Sequence, residues 1–238
     1  MKIYLIRHAE TDSNVKKIIQ GTINTPLNSN GHSQAECLGR RMRAIKPSHI
    51  FCSDLQRCQE TLKHVTDMQE PSDLPTVQYT EQLRERYMAE LQGVSKEVVE
   101  QLCREQNKTK FDFGESTQEL TDRVEDFWRG HVERLYSSAE VKTTGLANGE
   151  SRSSSGQASV MFVCSHGGTL LQLTKSLNVT FGFKLPPGSK ITRASPNTAV
   201  TILETETMEI ETYADVSHLE ALGAAEKEKD EKMEVVDV

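Results

Sequence analysis

The sequence predicts an α/β sandwich built on a largely parallel sheet, on three observations. Short apolar runs of strand length recur at residues 2–6, 50–52 and 159–164. Stretches with helical spacing separate them. Each run ends directly in polar residues able to carry chemistry: Arg7-His8 after the first, Ser53 to Arg57 after the second, His166 after the third. Alternating strands and helices favour a parallel sheet, because a parallel neighbour needs a crossover long enough to hold a helix.

Each element has its own signal. Residues 2–6 read as a buried strand, and residues 11–31, rich in Asn, Thr, Gly and Pro, as a loop. Ala35, Leu38, Met42 and Ile45 then share a helical face that ends near Pro47. After the run at 50–52, Ser53 stands where a helix N-cap would, ahead of Leu55, Cys58, Leu62 and Val65. Residues 67–79 are polar, carry Pro71 and Pro75, and read as a loop. Between residues 84 and 113 only 94–102 has helical spacing; the rest is expected to cap a pocket. Ser116 and Glu119 fit a capping box before a helix with Leu120, Val124, Phe127, Trp128, His131 and Leu135 on one stripe. Residues 142–157 hold four Ser, three Gly and two Thr and read as a flexible surface insertion. The third run leads into a helix through Leu170, Leu173 and Leu177, and 199–203 with 209–213 form a closing strand pair. From residue 220 the chain is rich in Glu, Lys, Asp and Ala, a frayed or disordered tail.

At 238 residues the chain suits one hydrophobic core, so a single domain over residues 1–219 with a tail at 220–238 is expected. A net charge of −7 argues against general nucleic-acid binding. No apolar run is long enough to span a bilayer, and the N-terminal run is too short for a signal peptide. Neither nucleic acid nor membrane is therefore expected as a partner. Five cysteines, an odd number without a CxxC pair, read as reduced thiols in a cytoplasmic protein.

In an open α/β sheet ligands bind at the carboxyl ends of the strands. The groups after the three runs should therefore converge on one pocket holding two histidines and at least two arginines. Arginine presents a planar fork that matches phosphoryl oxygens in pairs. A neutral imidazole attacks phosphorus and forms a covalent intermediate, and neighbouring arginines keep it neutral. The helix after His166 is positioned to aim its first N–H groups at the same oxygens. Glu85 is the candidate proton donor for the leaving alcohol. Metal chemistry is not expected: the histidines lack close i, i+4 spacing and no Cys/His cluster has ligand spacing. A cysteine nucleophile is not expected either, since only four residues without glycine separate Cys52 from Arg57.

Four ordered blocks carry a family resemblance. Leu5-Ile6-Arg7-His8-Ala9-Glu10-Thr11 with Asn14 resembles the RHG-E-T-x-x-N signature of the histidine phosphatase (phosphoglycerate mutase-like) superfamily. Gln20-Gly21, Thr25-Pro26-Leu27, Gly31 and Gln34-Ala35 are similar to the loop and helix that follow in that family. Ser53-Asp54-Leu55-Gln56-Arg57 with Thr61 resembles its second block, Leu83-Arg84-Glu85-Arg86 its acid-bearing block, and Ser165-His166-Gly167-Gly168 its fourth. The resemblance spans about residues 1–214. It implies a three-layer α/β sandwich with a mostly parallel central sheet, a small phosphorylated substrate and no cofactor. It implies His8 as phosphate acceptor, with Arg7, Arg57 and His166 holding the phosphoryl group and Glu85 as general acid, then base. Asn14, Gln20, Gly21, Arg86 and Gly167 would line the substrate side. Ala9 departs from the usual Gly but keeps the position small.

Within the superfamily, hydrolysis is favoured over mutase chemistry. Mutases usually carry Asn where Gly168 stands, and an Arg pair downstream of the acid block where this chain has only Arg104; Leu91-Gln92-Gly93 and Lys96 do resemble mutases. Residues 112–116 and Ser195-Pro196-Asn197-Thr198 resemble the branch of TIGAR-like fructose-2,6-bisphosphatases and broad-specificity sugar and glycerate phosphatases. Lys16, Lys17 and Arg86 would then offer a second anion site for a bisphosphorylated sugar. The alternatives are a phosphoglycerate mutase-type phosphotransferase and an inactive phospho-ligand scaffold. His32, His49, His64, His131 and His218 match no family position and read as structural.

Overall fold

The computed structural model describes residues 1–136, 159–191, 193–220 and 222–223. Its strands are β1 (Lys2–Arg7), β2 (His49–Ser53), β3 (Val77–Thr80), β4 (Val160–Ser165), β5 (Val200–Glu204) and β6 (Glu209–Asp215). They form one sheet in the order β3-β2-β4-β1-β5-β6. β1, β2, β3 and β4 run parallel; β5 is antiparallel to β1, and β6 to β5. The helices are α1 (Asp12–Val15), α2 (Ser29–Met42), α3 (Gln56–Thr66), α4 (Lys96–Glu105), α5 (Thr117–Phe127) and α6 (Gly167–Val179).

Successive strand residues point to opposite faces, and here both faces are covered. Ile3, Leu5, Phe51, Met161 and Val163 pack with Leu120, Val124 and Phe127 of α5 and Leu170, Leu173 and Leu177 of α6. Ile6, Ile50, Cys52, Phe162 and Cys164 pack with Leu38 and Met42 of α2 and Cys58, Leu62 and Val65 of α3. The result is the expected three-layer α/β sandwich with a mostly parallel sheet. Burial on both faces is why the central strands read as continuous apolar runs. A smaller cluster of Met88, Leu91, Val99 and Phe113 holds the segment that carries α4.

Several local expectations are corrected. β3 lies inside the segment read as a loop. It begins after Pro75, runs along the sheet edge and exposes Gln78 and Tyr79, so it lacks the apolar run of a buried strand. The loop at 11–31 contains the short α1 and the start of α2, where the Asn28 side chain accepts from Gly31 N at 2.7 Å. α2 ends at Met42, which leaves Ile45 outside the helix. Leu55, not Ser53, is the N-cap of α3; the Ser53 hydroxyl is engaged elsewhere. The capping box of Ser116 and Glu119 forms with both its bonds. α5 then runs into a π-helical turn, Trp128–Glu133. Its wider turn shifts the stripe, so Val132 is buried and His131 is exposed. The Ser-rich insertion and the tail beyond residue 223 lie outside the described residues. All five cysteines are free, and no helix among the described residues is long and apolar enough to cross a membrane.

Candidate active site

The parallel strands deliver their carboxyl ends to one edge of the sheet. His8 follows β1, Arg57 lies in the first turn of α3 beyond β2, and His166 follows β4 as the N-cap of α6. Their side chains meet: the rings of His8 and His166 lie 5.2 Å apart, centroid to centroid, with planes at 55°. Arg57 is buried between them and the loop before α2. Its Nε donates to His166 Nδ1 at 3.1 Å, its Nη1 to the Ile23 carbonyl at 2.8 Å and its Nη2 to the Gly21 carbonyl at 2.8 Å.

These partners fix the proton positions. A carbonyl only accepts, so His8 Nδ1 carries the hydrogen and donates it to the Ala9 carbonyl at 2.7 Å. The lone pair of His8 is therefore on Nε2. A guanidinium only donates, so His166 accepts at Nδ1 and carries its hydrogen on Nε2, 2.8 Å from Ser53 Oγ. Burial first, then the charges of Arg57 and Arg7, holds the pKa of His8 well below the ordinary imidazole value, against a smaller opposing effect of the Ala9 bond. Burial, then Arg57, does the same for His166. Both rings are neutral at neutral pH.

Arg7 Nη1 donates to the Ser195 carbonyl. Its Nε is buried and has no partner among the described residues. Gly167 packs beneath it: a Cβ there would lie 3.2 Å from Arg7 Cζ. An unmatched buried N–H beside two neutral imidazoles is a place for an anion.

Glu85 does not stand apart from the helix that follows His166, and this corrects one expectation. The first N–H groups of α6 were expected to face phosphate. Gly168 N instead donates to Glu85 Oε2 at 3.0 Å and Thr169 N to Oε1 at 3.1 Å, with Arg86 N adding 2.9 Å to Oε1. The helix start therefore positions the carboxyl group. Glycine at 168 makes the approach possible, since a Cβ there would fall 2.6 Å from Glu85 Oε1.

The remaining expected residues divide. Asn14 Oδ1 accepts from Thr11 N at 3.1 Å as half of the cap of α1, and Gln20 Oε1 accepts from the hydroxyls of Thr11 at 3.0 Å and Thr25 at 2.6 Å. Both order the loop. Gly21 has φ +51°, and a Cβ there would meet Gln92 Oε1 at 2.1 Å. Its carbonyl binds Arg57, so the loop's conformation and the arginine's position are coupled. Arg86 is buried, its guanidinium 4.7 Å over the Phe111 ring, and its Nε has no partner among the described residues. Lys16 and Lys17 are exposed just after α1. The Ala9 methyl is turned into a small cluster with Leu27 and Ala35. Cys58 Sγ lies 3.4 Å from His166 Nε2, and burial pushes its thiol pKa well up, so it is a neutral neighbour.

Three residues, Ser53, Asn197 and Thr198, have contacts to the two histidines that the sequence did not reveal. Ser53 Oγ accepts a hydrogen bond from His166 Nε2 at 2.8 Å. Asn197 Nδ2 and Thr198 N donate to the His8 carbonyl at 2.9 and 3.3 Å. The available signal was a Pro-containing polar turn leading into the strand beside β1.

Comparison with known proteins is consistent with this geometry. The model of the histidine phosphatase superfamily (branch 1) matches residues 3–214. A curated "probable phosphatase" of Schizosaccharomyces pombe is 30% identical over 225 residues, covering 93% of this chain and 96% of that protein. A fructose-2,6-bisphosphatase TIGAR of Xenopus tropicalis is 28% identical over 230 residues, covering 82% of this chain and 83% of its own. Among solved structures, Bacillus stearothermophilus YhfR superposes with a TM-score of 0.65 at 21% identity, over 92% of this chain and 99% of that one.

Proposed function

The chain belongs to the histidine phosphatase superfamily, branch 1, and from that premise we propose that it hydrolyses phosphomonoesters of small metabolites, without a metal, through a phosphohistidine on His8. One observation carries the reading: His8 is buried with its Nδ1–H bonded to the Ala9 carbonyl, which leaves the lone pair on Nε2, and the charges of Arg57 and Arg7 act on the same ring.

In the first half-reaction His8 Nε2 attacks phosphorus and the bond from phosphorus to the ester oxygen breaks. Glu85, acting from its protonated form, gives that proton to the departing alkoxide. Arg57, and Arg7 through its unmatched Nε–H, stabilise the charge on the phosphoryl oxygens. His166 acts by orienting Arg57. In the second half Glu85 takes a proton from water, the water oxygen attacks phosphorus, and the N–P bond breaks. Inorganic phosphate and neutral His8 result.

Two structural features and one relative support hydrolysis of a bisphosphorylated sugar. Glu85 occupies the space that a side chain at position 168 would need. Arg86 offers a buried, unmatched N–H one residue from Glu85, and one relative bears the name fructose-2,6-bisphosphatase. Lys16 and Lys17, being exposed, contribute less. Free thiols suit the cytoplasm.

The test is release of phosphate from p-nitrophenyl phosphate, with EDTA present and with His8→Ala as control. Turnover that survives EDTA and vanishes in the variant is expected. Turnover no greater than that of the variant would instead favour an inactive scaffold. Conversion of 3-phosphoglycerate to 2-phosphoglycerate with a bisphosphoglycerate primer, faster than phosphate release, would favour a mutase.

A further inference from the structure

We propose that His218 is a positioning residue for the nucleophile, acting through Thr198 on the peptide of His8; the proposal rests on the hydrolase reading above. His218 lies in the turn Ser217–Leu219 after β6, beyond residue 214, where the family match ends.

Its two ring nitrogens have distinct jobs. Arg41 Nη1 lies 3.1 Å from His218 Nδ1, and Thr198 Oγ1 lies 3.0 Å from Nε2. The guanidinium can only donate, so Nδ1 accepts and the ring proton sits on Nε2, directed at Thr198 Oγ1. The hydroxyl passes its own hydrogen to the Asn197 carbonyl at 2.8 Å. Arg41 is itself held by Asp215 at 2.6 Å, and Asp215 also binds the N–H and the hydroxyl of Ser217, each at 3.0 Å. The start of the turn and both ring nitrogens of its imidazole are therefore held.

What this chain of bonds holds is a strained corner. Thr198 is fully buried at φ +55°, a left-handed conformation that a β-branched residue rarely adopts. That conformation aims Thr198 N at the His8 carbonyl, 3.3 Å away, while Asn197 Nδ2 reaches the same oxygen at 2.9 Å. Three residues before Thr198, the Ser195 carbonyl receives Arg7 Nη1. The corner thus sets the backbone of the nucleophile and the guanidinium beside it. His218 touches neither and acts on both. Burial and the Arg41 charge lower its pKa to about 4, so it stays a neutral donor.

The experiment compares His218→Ala, Thr198→Val, their double variant and His218→Gln, with His49→Ala as a remote control. Turnover of p-nitrophenyl phosphate is followed together with the carbonyl 13C resonance of His8. The expected result is a kcat about tenfold lower for each single variant with KM within about twofold, because a small displacement of a reacting group slows chemistry more than binding. The double variant should be no slower than either single one. Glutamine, which also presents an acceptor and a donor, should recover most of the rate, and the His8 resonance should shift in the Ala and Val variants only. Wild-type kcat in a folded His218→Ala, additive losses in the double variant, or an unmoved His8 resonance would each overturn the proposal. Should the wild type hydrolyse nothing, the hydrolase reading fails, while the resonance still decides the positioning role.

Discussion

The floor of the site and the segment beside it are built on different physics. On the floor, His8, Arg57 and His166 are buried, and each side chain is locked by bonds that fix its protonation. His8 and His166 directly follow strands shared by the two large cores, and Arg57 lies in the first turn of a helix packed in one of them. The segment 84–113 rests on the small cluster of Met88, Leu91, Val99 and Phe113 and leaves Tyr87, Val98 and Phe111 exposed. Ala89 and Asn107, both in this segment, take positive φ. Apart from Glu85, whose carboxyl group is held by the start of α6, rate should therefore reside in the floor and the choice of substrate in the segment.

Substitutions test that division. His8→Ala should lower kcat by about 10⁴-fold or more, since no other group replaces the attacking lone pair; a loss under tenfold would place the nucleophile elsewhere. Gly168→Asn should cost about 10- to 100-fold in kcat, because the new side chain displaces Glu85. Its kinetics and a structure of the variant check this, and an unmoved Glu85 with reduced rate would contradict it. Arg86→Ala should raise KM for a bisphosphate about tenfold while kcat changes little, with a smaller effect on monoesters. Equal effects on both would remove Arg86 from substrate choice. Lys16→Ala should change KM by no more than about twofold, as expected of an exposed charge.

Acid should act on the floor. His8 and His166 have folded-state pKa values below their unfolded ones, with burial the first cause. As pH falls through about 6.5 the unfolded chain takes up protons that the folded chain refuses, so their contribution is full above that pH and declines below it. Melting temperature should fall from pH 7 to pH 5, less steeply in His8→Gln. A profile identical in the variant would contradict the burial of a neutral His8.

Legibility in the sequence followed the same division. His8, Arg57 and His166 were readable because apolar strands buried on both faces end at or shortly before them, and parallel strand ends converge. Glu85 was readable from its block, but not that α6 would hold its carboxyl group. β3 and the π-helical turn escaped notice because an edge strand and a shifted helical phase both break the periodicity that marks buried elements. Asn197 and Thr198 were legible only as part of a branch motif and His218 only as structural, for a different reason. They act through a carbonyl and a left-handed turn, and neither leaves a spacing to count.

The most direct test of the central claim is to trap the covalent intermediate. The enzyme is mixed rapidly with a radiolabelled phosphomonoester, quenched in alkali and mapped by peptide mass. The account predicts an acid-labile phosphate on the peptide containing His8, absent from His8→Ala. Label on any other residue, or rapid turnover with no covalent phosphate at all, would contradict it.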